Sequence, residues 1–153
     1  MKFVLDASLT LAWCFKDEKT KFTEALLRAL PRLGAGVPSL WAYEVANGLR
    51  TAQKSQRIGE SAAIEFIESL GALPIETVLV PPEATLVEVR FLALRHGLSV
   101  YDASYLALAR ALGVPLGTLD GTGKRMGLKQ AAAADDIELV DEHMVAAWLA
   151  ATA

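Results

Sequence analysis

The chain has 153 residues, 53% of them hydrophobic, and a formal net charge of −3; these values exclude a disordered chain and lead to the expectation of a single domain spanning residues 1–153. No apolar run reaches the roughly 18 residues of a membrane helix, and Lys2 is followed almost at once by Asp6 rather than by a signal-peptide core, so a cytoplasmic protein is expected. The single Cys14 excludes an internal disulfide and a cysteine-built zinc site, His96 and His143 form no ligand-spaced pair, and the acidic balance lacks the basic surplus usual for nucleic-acid binders.

Lys2–Asp6 (KFVLD) is β-prone and ends in an acid, which predicts a strand. Leu9–Phe15 reads as a short helix. Phe22, Leu26, Leu27 and Leu30 recur at helical spacing, with Pro31 and Gly34 closing that helix and its apolar face expected in the core. GVPSL is a brief strand ending in a turn, and Ser39 is suited to cap a helix from Leu40 to about Arg57. Gly59 breaks the chain before a helix over Glu60–Leu70. IETVLV is a strand stopped by Pro81 and Pro82, and Glu83–Arg95 is a helix ending at Gly97. Ser99 opens a strongly apolar helix that ends at Gly113. VPLGTLD is a strand ending in an acid, Thr122–Ala134 is helical, IELV is a last strand and His143–Leu149 a closing helix. Strands alternating with helices predict an α/β fold, a parallel sheet between helical layers, with its cleft beyond the carboxyl ends of the strands.

The acids follow that geometry. Asp6 and Asp120 end strands, and Asp102 begins the helix feeding the second of those strands, so three distant segments bring carboxylates to one rim. Glu44 lies beside the apolar stripe Trp41, Val45, Leu49 and Ala52, on the flank of Gly48, which leaves room for close approach, and Asn47 is its neighbour at i+3. Each acid also has an ordinary reading: Asp6 as a helix cap, Asp102 in a capping box with Ser99, Asp120 in a turn with Gly121, Glu44 as a partly exposed helix residue. Gathered together, ionised carboxylates about 4 Å apart repel by on the order of 4 kcal/mol at an effective dielectric near 20. Either protons are taken up or a cation sits between them. An all-oxygen site suits Mg²⁺ or Mn²⁺, which lowers the pKa of a bound water and stabilises charge on a phosphoryl group. Such a cation also reconciles an acidic cleft with a polyanionic substrate. Ser8 and Ser104 are placed to hydrogen-bond the acids or a bound water, with capping the alternative for each.

Taken in order, VLDAS, YEVANGL, YDASYLALA and TLDG resemble the PIN-domain ribonucleases, in particular VapC-type toxins of bacterial toxin–antitoxin pairs, over Lys2 to about Val140. The resemblance implies a PIN-like three-layer α/β/α sandwich around a parallel sheet of four or five strands. It further implies Mg²⁺ or Mn²⁺ held by Asp6, Glu44, Asp102 and Asp120, endonucleolytic cleavage of RNA, a homodimer and an antitoxin partner. Asn47 and Ser8 match frequent family residues. After Asp120 this chain departs from the family's apolar helix start and reads GTGKRMG, which brings Lys124 and Arg125 near the rim, where they are candidates to bind RNA phosphate. Two alternatives stay open: a PIN-family RNA-processing nuclease without a toxin role, and an inert PIN-like module that only binds a partner.

Other phosphate chemistry fits less well. A Walker A loop needs a hydroxyl residue where Arg125 stands, and a dinucleotide fingerprint needs a glycine at Met126. A phosphoaspartyl enzyme needs a second Asp where Ser8 follows Asp6.

Overall fold

In the computed structural model, which describes residues 1–120 and 127–151, β1 (Phe3–Leu5) lies inside a four-stranded parallel sheet with β2 (Ala35–Pro38), β3 (Ile75–Val78) and β4 (Leu116–Gly117) in the order β3-β2-β1-β4. The order reverses beside β1, because β2 and β3 are added on one side and β4 on the other. A strand buried on both faces must be apolar on both, and β1 is: Val4 packs into one core, while Phe3 and Leu5 pack into the other.

Two helical layers cover these faces. On the Phe3 and Leu5 side lie α1 (Ala7–Cys14), α2 (Lys21–Leu33) and α8 (Glu142–Ala151), contributing Leu9, Trp13, Leu26, Leu30 and Val145. The apolar face of α2 is therefore core. On the Val4 side lie α3 (Trp41–Lys54), a helix α5, α6 (Val100–Leu112) and α7 (Leu128–Ala134), contributing Val45, Leu49, Leu92, Tyr105, Leu106 and Leu128. Helix α5 is continuous through Pro82–Ala84, a π-helical Thr85–Val89 and Arg90–His96. Helix α4 (Glu60–Gly71) packs its Phe66 and Leu70 against both cores. No helix among the described residues is long and apolar enough to cross a membrane.

Local signals worked at several boundaries. Ser99 caps α6 by accepting from the Asp102 amide at 3.0 Å, and Gly97 and Gly113 end α5 and α6 with positive φ, which a side chain would strain. Three expectations are corrected. Pro31 lies within α2, because at the last turn it loses only one backbone bond, and the Gly34 amide closes the helix on the Leu30 carbonyl at 2.9 Å. Helix α3 begins after Leu40 without a side-chain cap, so Ser39 does not fill that role. IELV contributes a single parallel bridge, Leu139 to Leu116, rather than a full strand. The first part of the predicted Thr122–Ala134 helix lies outside the described residues; the rest is α7.

Candidate active site

Asp6 leaves the carboxyl end of β1 and is only 5% exposed. It stands at the N-cap of α1, yet its side chain makes no cap bond. Its Oδ2 accepts instead from the Thr118 hydroxyl at 2.7 Å and from the Ser8 hydroxyl. Thr118 Oγ1 accepts from the Asp120 amide at 3.0 Å, and Ser8 Oγ accepts from the Leu119 amide at 3.1 Å. Two hydroxyls thus tie the exit of β1 to the exit of β4 across the point where the strand order reverses, the place where α/β sheets bind ligands.

Glu44 sits in the first turn of α3, half-buried, and its Oε2 accepts from the hydroxyl of Tyr105 on α6. Gly48, one turn on, meets α1: a Cβ there would stand 2.4 Å from Leu11 Cδ1, so glycine lets the two helices close. Asp102, in the first turn of α6, accepts from the Ser99 hydroxyl at 2.7 Å. The capping contact foreseen for Asp102 is therefore made, while its charge still acts on both Asp6 and Glu44.

Burial pushes the Asp6 carboxyl above its ordinary range against the opposing pull of Ser8 and Thr118, and the Asp102 charge adds to the rise. Burial likewise raises Glu44 against the Tyr105 hydrogen bond, helped by repulsion from Asp6 and Asp102. Tyr105, wholly buried, is raised by desolvation and by its bond to Glu44, so it stays a neutral donor.

Asp120 is exposed; its Oδ2 accepts from the Leu128 amide at 3.3 Å, holding the start of α7, while its own amide donates to the Thr118 hydroxyl that serves Asp6. Asn47 lies on the exposed side of α3 and its amide oxygen accepts from Arg50 at 3.3 Å. Ser104 donates to the Tyr101 carbonyl at 2.6 Å. Lys124 and Arg125 lie outside the described residues. Thr118 and Tyr105 were not foreseen from sequence; no local pattern marks a hydroxyl whose partner is 112 or 61 residues away.

The three acids share one feature. Each is held by hydroxyls, and none makes an ion pair with a basic side chain among the described residues. A hydroxyl fixes a carboxylate and leaves its charge in place. An all-oxygen, uncompensated donor set of this kind fits a hard divalent cation. As the side chains stand, no three acidic, histidine or cysteine groups among the described residues are grouped closely enough to hold an ion without adjustment.

Comparison with known proteins agrees with the fold. The PIN domain family model matches residues 3–128. Ribonuclease VapC3 of Pyrobaculum aerophilum is 36% identical over 121 residues, covering 78% of this chain and 90% of its own. The VapC ribonuclease Mb0985 of Mycobacterium bovis is 36% identical over 117 residues, covering 76% of this chain and 84% of its own. The crystal structure of PAE2754 from Pyrobaculum aerophilum superposes with a TM-score of 0.69 over 98% of both chains at 23% identity, which speaks to the fold alone. A parallel sheet with acids at its carboxyl rim, a family match across most of the chain and relatives at this identity make the conclusion plain: the chain belongs to the PIN-domain family.

Proposed function

We propose that this protein is a divalent-metal-dependent endoribonuclease and the toxin of a toxin–antitoxin pair. The observation that carries the reading is that the acids at the carboxyl rim are held by hydroxyls and pair with no basic side chain among the described residues; the VapC ribonucleases among its relatives supply the substrate class. Asp6 and Asp102 would hold Mg²⁺ or Mn²⁺ most directly, with Glu44 and Asp120 completing the shell. Such an ion supplies electrostatic stabilisation of the phosphoryl charge and a more acidic water. The remaining work falls to the chain. Ser8 and Thr118 keep Asp6 oriented, Ser99 keeps Asp102 on the first turn of α6, and Lys124 and Arg125 bind RNA phosphates flanking the cut. Overall, water adds at phosphorus, the bond from phosphorus to the leaving ribose oxygen breaks, and that oxygen gains a proton.

The family reading also implies a homodimer, and the exposed apolar residues Leu86, Phe91 and Leu94 of α5, with Tyr101 of α6, give such a partner a surface. An antitoxin would bind the same protein and suppress cleavage.

The direct test is cleavage of single-stranded RNA by the purified protein with Mn²⁺. EDTA, Asp6→Asn and Asp102→Asn should each abolish it. Activity that survives EDTA or both substitutions defeats the mechanism. The inert-module reading has one observation on its side, the absence of a ready-grouped ligand trio among the described residues; Mn²⁺ binding without cleavage of any RNA would favour it. Growth arrest on expression, relieved by a small neighbouring gene, separates a toxin from an RNA-processing nuclease.

A further inference from the structure

We propose that Tyr105 is a positioning residue for the active site: its buried hydroxyl fixes Glu44 so that one carboxylate oxygen, Oε1, is presented to the divalent ion. The inference rests on the nuclease reading above and goes further by assigning a role to a residue outside the acidic set.

Three observations carry it. First, the Tyr105 side chain is wholly buried and its hydroxyl donates to Glu44 Oε2. A buried phenol must place its O–H on a partner, and Asp6, which also lies near enough to act on Tyr105, is already served by Ser8 and Thr118. Second, Glu44 has no other protein partner among the described residues, and Oε1 takes part in no described hydrogen bond. A glutamate has three rotatable side-chain bonds and, half-exposed on α3, would otherwise sample several rotamers. A tyrosine ring wholly buried in the core has no such freedom, so its hydroxyl is a fixed point. Third, Tyr105 follows Asp102 by one turn of α6, which places both on one face of that helix. The same rigid helix therefore supplies one acid directly and aims a second through the phenol. Ser99, Ser8 and Thr118 hold Asp102 and Asp6 in the same manner, so Tyr105 completes a set in which every acid of the trio has its own hydroxyl.

Outer-shell partners of metal ligands commonly change metal affinity or activity by about 10–100-fold when removed. Tyr105→Phe keeps the ring and removes only the hydroxyl. It should weaken Mn²⁺ binding by the full chain, followed by titration calorimetry with the metal alone, by at least about tenfold, and lower kcat for RNA cleavage while KM for RNA stays near the wild-type value. Glu44→Asp draws the carboxylate back from the hydroxyl with the core untouched and should give a comparable loss. Adding Tyr105→Phe to Glu44→Asp should then change little. A merely structural role for Tyr105 would lower the melting temperature without this coupling to Glu44.

The proposal is overturned by wild-type Mn²⁺ affinity in a folded Tyr105→Phe protein, or by losses that multiply in the double variant. Should Tyr105→Phe prove too unstable to assay, wild-type Mn²⁺ affinity in Glu44→Asp overturns it equally. If the wild-type protein neither binds Mn²⁺ nor cuts RNA, the nuclease reading fails and takes this inference with it; if the wild type does both and Tyr105→Phe is unchanged, this inference fails alone.

Discussion

Helix α6 connects two charged sites of opposite design. At its first turn, Asp102 joins Asp6 and Glu44, three acids held by the hydroxyls of Ser99, Ser8, Thr118 and Tyr105. Near its far end, Arg110 joins Arg95 and His96 of α5 around one carboxylate, Asp135, which follows α7. The Asp135 side chain is only 4% exposed, and it meets His96 Nε2 at 3.1 Å, Arg95 at 3.4 Å and Arg110 at 4.0 Å. The His96 contact is close but does not have the geometry of a hydrogen bond. One end thus has several acids and no basic partner among the described residues, and the other has one acid facing two arginines and a histidine. The second pattern is how a fold neutralises a buried charge to pin helices together. The first leaves its charge uncompensated, which lowers stability and suits an ion that arrives from outside.

The comparison is broken most sharply by opposite responses to removing a charge. Asp6→Asn should cut RNA cleavage by at least about a thousandfold, the scale of losing a central electrostatic group, while raising the melting temperature of the metal-free protein, because a buried and repelled charge is gone. A lower melting temperature would mean that Asp6 is a structural acid after all. Asp135→Ala should do the reverse at the other end: destabilise by about 1–3 kcal/mol in chemical denaturation, because half-exposed Arg95 and Arg110 and buried His96 lose the carboxylate they share. A neutral outcome would remove the distinction between the clusters. Thr118→Val should cost about 1–3 kcal/mol, because it strips a donor from buried Asp6 and an acceptor from the Asp120 amide; its effect on cleavage should exceed its effect on stability.

The smallest expected effect is in pH. Asp6 and Glu44 both lie above their ordinary values of 3.8 and 4.5 in the folded chain. Between those values and their folded ones the native state binds more protons than the unfolded state, so stability falls as pH rises through that window. The metal-free protein should therefore melt at higher temperature near pH 5 than at pH 8, and Asp6→Asn should flatten the trend. Added Mn²⁺ should oppose it, since the metal binds the deprotonated form. Asp17, lowered by its exposed pair with Arg57, acts with the opposite sign and is screened by solvent.

Much of the fold was legible in the chain because its signals are local. β1 announces itself as an apolar run ending in Asp6, Gly97 and Gly113 stop their helices through a conformation other residues avoid, and Ser99 faces Asp102 three positions on. The errors came where a neighbour distant in sequence decides. Pro31 continues α2 because its helix is held by the core, and IELV meets the two-residue β4 only through the bridge from Leu139 to Leu116.

The site divides in the same way. The residue types and their order along the chain determine that Asp6, Glu44 and Asp102 are acids on elements that end or begin at one rim, since strand and helix boundaries are set by neighbouring residues. Which groups those acids meet is decided only by packing. Thr118 and Tyr105 reach Asp6 and Glu44 across 112 and 61 residues, and Asp120 meets the Leu128 amide across the segment between β4 and α7. A hydrogen bond needs its two atoms within about 3 Å, and separation along the chain carries no information about that distance until the sheet and its two helical layers have closed.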